Sequence, residues 1–488
     1  MKTDLEKLYR TLGYTGPLEI DAVSFSAIAE NQVDMAELPP LDAGGLDQLE
    51  AELNLHPRKT MTRVREVMGR EMTPARLRKA LAYARHALEK PGEVLAEIET
   101  PSDAVSFAAS VFPAGFTFPG FEDAGIEIDL NDRKFENDDL AGLLGWAFFA
   151  GPFVLTRARK KNFRFHNQPQ YSSNFIYDLD NPTPDAPLEI ALFSDFGVGR
   201  YYSKHIARQL QQKRFPYAIH LGDVYYAGRR SEFRDFFEAL LDPVLADTSV
   251  FALNSNHEMY SGGIPYFDYI NKRSQLHPDK QKQEGSYFCL RSNQFQIVGI
   301  DTAFFGQGRY KENILVEWLQ NVLREGRRTN RVNILLSADH PYDYGSDKLT
   351  SLLRKDLKRL ALEERLVDLW FWGNTHYCAL YDHRPAASED IPVLPFIGSC
   401  IGHGGYPYDT YKKGKFEPAP VIFLEDQARF PAWTNLRQDK GNNGYCVLQL
   451  KADGSIGLQY IDWMSNKRFE AELSRIENGK PLKVTPIQ

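Results

Sequence analysis

Between residues 188 and 397 the chain repeats one texture: short runs of Ile, Val, Leu and Phe, each stopping at a polar or glycine cluster. Leu188–Ser194, Tyr217–Leu221, Val250–Leu253, Phe295–Ile300, Val332–Leu336, Leu366–Trp372 and Val393–Ile397 read as strands. Apolar residues at helical spacing lie between several of them, over Ser203–Lys213, Glu232–Leu241, Ile314–Arg324 and Lys348–Leu360. Strands that alternate with helices predict a layered α/β domain. Near the end, Tyr445–Leu450 and Ile456–Ile461 flank Asp453–Gly454, which is the pattern of a hairpin.

The first 165 residues have a different texture and are expected to be mainly helical. Thr73 caps and Pro74 opens a segment in which Leu77, Leu81, Ala84 and Leu88 share one helical face. NPTPDAP, with three prolines in seven residues, marks the boundary. The expected division is therefore a helical unit of unassigned role over 1–165, a linker over 166–187 and a catalytic domain over 188–488. The longest apolar run, Leu140–Leu155, is short of the roughly 20 residues of a spanning helix and is interrupted by Pro152 and glycines. It is expected as a core helix. Its flanking charges and the Phe-rich stretch Phe107–Phe121 keep open a peripheral membrane contact through 101–155.

Lys plus Arg number 58 against 65 Asp plus Glu, a net charge of −7, so no general electrostatic footprint for nucleic acid is present. Four cysteines in 488 residues make no disulfide framework, as in a reducing compartment. The start, MKTDLEKLYRTLGY, has no apolar leader core, and a cytoplasmic location is the expectation.

The residues just past each strand carry the chemistry. SDFG supplies Asp195; HLGDVYYAG supplies Asp223 and Tyr226; NSNHE supplies Asn256, His257 and Glu258; SADHP supplies His340; WGNTHY supplies Asn374 and His376. Singly, such residues are helix caps or structural imidazoles more often than ligands. Carboxylate, phenol, amide and imidazole groups at five successive strand ends form a donor set for two adjacent cations, because sites in open α/β sheets are built where strands end.

These motifs resemble the calcineurin-like metallophosphoesterases, and within them the purple acid phosphatase branch. That family carries an Asp two residues before His or Gly, then GD, then GNH with an acid, then a single His, then GH-x-H. The branch has Gly in the first motif, here Gly197, and a Tyr three residues after the second Asp, here Tyr226. HLGDVYYAGRRSEFRDFFEALL is also similar to the small, mammalian-type members of that branch. The resemblance spans about 188–405 and implies a β-sandwich flanked by helices. It implies a first metal held by Asp195, Asp223, Tyr226 and His376, and a second held by the shared Asp223 with Asn256, His340 and Asn374. Iron, manganese or zinc would be the ions. Asn374 stands at the first His of GH-x-H, and an amide oxygen ligates more weakly than imidazole, so the second site is expected to be weaker, or to favour manganese or magnesium; Ser255 at the GNH glycine is a lesser departure.

The implied reaction is attack on a phosphoester by a metal-activated water, with the cations about 3.5–4 Å apart. His257 is the expected catalytic group, stabilising the phosphoryl oxygens or protonating the leaving group. Arg200 and His403, the latter in IGHGGYPY, are expected substrate contacts at the rim. His220 is expected to point away from the metals, and Tyr225 to face away from Tyr226 if the strand runs on that far. A phosphomonoesterase for a small-molecule or lipid phosphate leads. A phosphodiesterase for cyclic nucleotides or lipid phosphates uses the same core, and Asn374 motivates a third reading, a phosphatase-like scaffold with weakened turnover.

Overall fold

A computed structural model describes residues 41–68, 73–89, 147, 150–156, 163–198, 201–225, 227–241, 248–276, 283–346, 348–388, 391–408, 410, 417–429 and 440–487. The apolar runs become strands. In chain order these are β1 (Ile176–Asp178), β2 (Leu188–Phe193), β3 (Tyr217–His220), β4 (Ser249–Ala252), β5 (Phe288–Arg291), β6 (Phe295–Ile300), β7 (Val332–Ser337) and β8 (Leu369–Trp372). After these come β9 (Cys378–Tyr381), β10 (Ile397–Ile401), β11 (Val421–Leu424), β12 (Gly444–Leu450), β13 (Ile456–Asp462), β14 (Lys467–Ser474) and β15 (Lys483–Pro486).

Two sheets result, ordered β1-β5-β6-β7-β8-β10-β9-β11 and β15-β14-β13-β12-β2-β3-β4, and one apolar core holds residues of both. The parallel strands at the heart of each sheet place the site. In the second sheet Phe193 pairs with His220 and His220 with Ala252, so β2, β3 and β4 end level. In the first, Ser337 pairs with Trp372 and Trp372 with Cys400, so β7, β8 and β10 end level too. A shared register releases the next polar residues onto one end of each sheet, where backbone no longer needs ladder partners. The loop after β10 joins the two ends: Gly404 N–H donates to Ser194 O at 3.0 Å and Tyr406 N–H to Asp195 O at 2.9 Å.

Several elements depart from expectation. The strand expected over Val393–Ile397 lies at Ile397–Ile401, because Pro392 and Pro395 have no N–H to give a ladder. The helix expected over Lys348–Leu360 is broken into widened turns at Leu352–Asp356 and Lys358–Glu363, with Leu357 off the helical path between them. The helix expected over Glu232–Leu241 runs 230–241, widened across Phe233–Glu238. Within the stretch expected as a linker, Ile176–Asp178 pairs with β5 as an edge strand. The terminal hairpin forms as expected, with Leu448 opposite Leu458.

Before the sheets, helices Ala43–Leu55, Pro57–Met68, Pro74–Glu89 and Gly151–Thr156 are described. Asp42 caps the first, accepting from Gly45 N–H at 2.8 Å, and the Thr73 hydroxyl accepts from Arg76 N–H at 3.2 Å. Leu46, Leu49, Leu53, Leu77 and Leu81 close over Ala147, Ala150 and Val154 in a separate apolar cluster. Each buried leucine there contributes about 1.5–3 kcal/mol of transfer free energy. The described part of the Leu140–Leu155 run is thus core, while Phe107–Phe121 lies outside the described residues. No helix among the described residues is long and apolar enough to cross a membrane. Ala227, Tyr260 and Ile264 of the two-sheet body belong to the same cluster, so the helical unit seats beside the strand ends that carry the polar residues.

Candidate metal centre

Asp195 follows β2, Asp223 follows β3 and His376 follows β8, and one ligand atom from each lies within 4.8 Å of the others. Both carboxylates are fully buried, while the His376 side chain keeps 22% of its exposure. Asp195, Asp223 and Asn374 all sit in the left-handed backbone region, at φ of +57°, +76° and +58°. That region is uncommon for residues other than glycine, although Asp and Asn tolerate it best. Three strained strand ends converging on one cluster mark a built site rather than a set of helix caps. Gly222 precedes Asp223 at φ +106°, and a Cβ there would meet the Ser255 side chain at 2.8 Å, so the turn that delivers Asp223 requires glycine.

The Tyr225 hydroxyl occupies the middle of the cluster, 2.5 Å from Asp195 Oδ1, 3.1 Å from Asp223 Oδ2 and 3.0 Å from His376 Nε2. The alternation argument does not reach this residue, since β3 ends at His220 and the chain turns through Gly222. Tyr226, expected as the phenol donor, lies outside the described residues, as does Arg200. Tyr406 closes the wall, its ring stacked 4.0 Å from that of His376 and 4.7 Å from that of Tyr225.

Charge explains the unusual titration of this cluster. Burial pushes Asp195 up, but its bonds to His376 and Tyr225 outweigh that and hold it below the usual carboxylate range. Burial, the Asp195 charge and Glu258 together push Asp223 well above that range. Two touching buried carboxylates cannot both ionise cheaply without a cation between them. Ser255 reinforces the arrangement: its hydroxyl makes a short hydrogen bond with Asp223 Oδ1 and another of 2.5 Å with Glu258 Oε2. Glu258 in turn accepts from Ser255 N–H at 2.9 Å and Val224 N–H at 2.9 Å, and burial lifts it to about 7. S-x-x-E over Ser255–Glu258 is a capping box legible in the sequence; that its acid also braces the Asp223 turn is not.

The other expected donors lie one link away. Asn256 opens the short helix that Ser255 caps; its Nδ2 donates to Tyr260 Oη at 3.3 Å and its buried Oδ1 has no partner among the described residues. His340 follows β7, and its buried Nδ1 is likewise unbonded among them. Asn374 joins the two groups: its N–H donates to Asp195 Oδ2 at 3.0 Å and its Nδ2 to Asp339 Oδ1 at 3.0 Å. Orphaned buried acceptors are rare in folded proteins and call for an explanation. The buried carboxylates with His376 are the candidate ligand group for a metal ion.

Residues 188–378 match the calcineurin-like phosphoesterase family model. The two-sheet α/β body flanked by helices is the fold that the family resemblance implies. No curated protein matches the chain. Among solved structures it is similar to the purple acid phosphatase PPD1 from yellow lupin (Lupinus luteus) seeds, at 16% identity over 62% of this chain and 56% of that one, with a TM-score of 0.46. The chain thus spans about half the length of that enzyme, 56%. It is also similar to GAP50, the anchor in the inner membrane complex of Plasmodium (14% identity, 60% and 90% of the two chains, TM-score 0.43), and to PhoD (10%, 63% and 73%, 0.43).

Of the remaining expected residues, His257 is half-buried with its ring 4.3 Å from that of Tyr225 and 5.1 Å from that of Tyr260. His403 does not reach the rim: it is 4% exposed, and burial lowers its pKa to about 4. The loop after β10 turns inward there, with Gly444 N–H donating to His403 O at 3.0 Å. His220 is held between Phe193 and Phe237, away from the cluster. Cys378 is a buried thiol on β9 that burial keeps protonated.

Proposed function

We propose that the chain hydrolyses phosphate esters with two metal ions, and that a phosphomonoester of a small molecule or lipid is its substrate. The observation that carries this is the buried meeting of Asp195, Asp223 and His376 at three strand ends, inside the segment that matches the calcineurin-like phosphoesterase model. Asp195, Asp223 and His376, with the Tyr225 hydroxyl among them, would hold one ion; Asp223, Asn256, His340 and Asn374 would hold the other. Two cations so held supply charge to neutralise a phosphoryl group and lower the pKa of a bound water. His257 stands half-buried over Tyr225, where its imidazole can hand a proton to the departing alcohol. The Tyr406 ring, stacked on His376, keeps bulk water from that flank and the imidazole in one orientation.

Metal-stripped protein re-supplied with manganese, iron or zinc, and offered mono- and bis-nitrophenyl phosphate, tests the proposal. Metal-dependent turnover that Asp223→Asn abolishes supports it, and faster hydrolysis of the monoester supports the phosphomonoesterase reading. A preference for the diester moves the chain to the phosphodiesterase reading. Bound metal with no turnover of either ester sinks both and favours a phosphatase-like scaffold.

A further inference from the structure

We infer that Asp339 is the positioning residue of the second metal position, acting through Asn374; this rests on the two-metal reading above. Asp339 is 4% exposed and lies between β7 and His340. Among the described residues, its carboxylate hydrogen bonds all come from donors on other parts of the chain. Oδ2 accepts from the Thr302 hydroxyl at 2.8 Å and Gly308 N–H at 2.9 Å, and Oδ1 from Asn374 Nδ2 at 3.0 Å. With two donors already on Oδ2, the carboxylate takes the Asn374 amide nitrogen on Oδ1, so the amide is turned with its nitrogen toward Asp339. Among the described residues its oxygen then makes no hydrogen bond, which leaves it to ligate. Nothing else in the residue settles that choice, because the two ends of an amide have the same shape and opposite polarity. Asn256 lies in the same sense, its nitrogen bonded to the Tyr260 hydroxyl and its oxygen unbonded among the described residues. The second position therefore offers the Asp223 carboxylate, two amide oxygens and one imidazole. Such an oxygen-dominated set suits manganese or magnesium over zinc.

Replacing Asp339 by asparagine reverses the amide. The new side chain must keep its oxygen on Thr302 and Gly308, which donate, so its NH₂ faces residue 374. Asn374 then has to present its oxygen to that NH₂ and its own NH₂, which cannot ligate, to the metal position. The test is manganese titration of the metal-stripped full chain, with free manganese read by electron paramagnetic resonance and heat by calorimetry. Wild type is expected to take two equivalents. Asp339→Asn should weaken the second by about 10–100-fold, the usual cost of losing an outer hydrogen-bond partner, and leave the first unchanged. Asn374→Ala should do the same, and adding Asp339→Asn to it should cost nothing more, since a residue that acts through another has no effect once that other is gone. A simple loss of charge would add instead. The swap Asp339→Asn with Asn374→Asp restores a donor–acceptor pair with an oxygen to spare; it should recover the second equivalent, and it keeps the test available if the single variant fails to fold. Two undiminished equivalents in Asp339→Asn, or additive losses in the double variant, overturn the inference. Wild type taking fewer than two equivalents overturns the two-metal reading as well, whereas either of those outcomes in a wild type that takes two overturns the inference alone.

Discussion

The two proposed halves of the candidate centre would share Asp223 and are built on opposite principles. Around Asp195, Asp223 and His376 the donor atoms crowd within 4.8 Å, and the Tyr225 hydroxyl ties them together. Around Asn256, His340 and Asn374 the acceptor atoms are held apart from any partner among the described residues, with Asn256 Oδ1 and His340 Nδ1 buried and unbonded. Without a cation the first half can settle its charge by moving protons, as the lowered Asp195 and raised Asp223 show. Beyond the shared Asp223, the second half offers two amides and an imidazole and no further carboxylate; each unbonded buried acceptor costs about 1–3 kcal/mol until something ligates it. Two carboxylates gain more from a cation than one carboxylate with amides, so the first ion should bind tightly and the second weakly.

Asp223→Asn breaks both halves at once and carries the largest expected effect. Metal-dependent turnover should vanish and both manganese equivalents should weaken. The metal-free variant, relieved of one of two touching buried carboxyls, should melt no lower than wild type in calorimetry. A lower melting temperature would mean that the two carboxyls do not oppose each other. His257→Ala leaves both halves intact. It should lower kcat by about 10²–10⁴ with metal stoichiometry unchanged, and a variant that also lost metal would place His257 among the ligands instead. Asn374→His makes the second half more like the first. It should tighten zinc binding at the second position by about tenfold, measured by competition with a chromophoric chelator. The left-handed backbone at 374 is one that histidine, like asparagine, adopts more readily than most residues. Tyr225→Phe removes only the hydroxyl at the centre of the first half. Metal-free stability should fall by about 1 kcal/mol in denaturant unfolding, with the second equivalent undisturbed.

Patterns of apolar residues made the strand ends legible, and the residue types after them made the chemistry legible. Asp195, Asp223 and His376 were nameable because each follows a run long enough to be a strand. Tyr225 was not, since period-two alternation assigns a side chain only while the strand continues, and β3 stops at His220. His403 was misplaced for a related reason. The prolines at 392 and 395 delay β10 to Ile397–Ile401, and the next loop folds inward over Ser194 and Asp195. The Asp339–Asn374 bond joins residues 35 apart in sequence, and neither carries a local signal for the other.

The amino-acid sequence by itself determined the α/β class, the order of the strands along the chain and the kinds of donor at their ends, because hydrophobic periodicity and turn chemistry are local. Tertiary structure alone decided which of those donors touch. Level registers within each sheet, and a loop that crosses between them, set the distances among side chains that local rules never relate. It also decided which way the Asn374 amide faces, because only the carboxylate across the gap distinguishes an oxygen from a nitrogen.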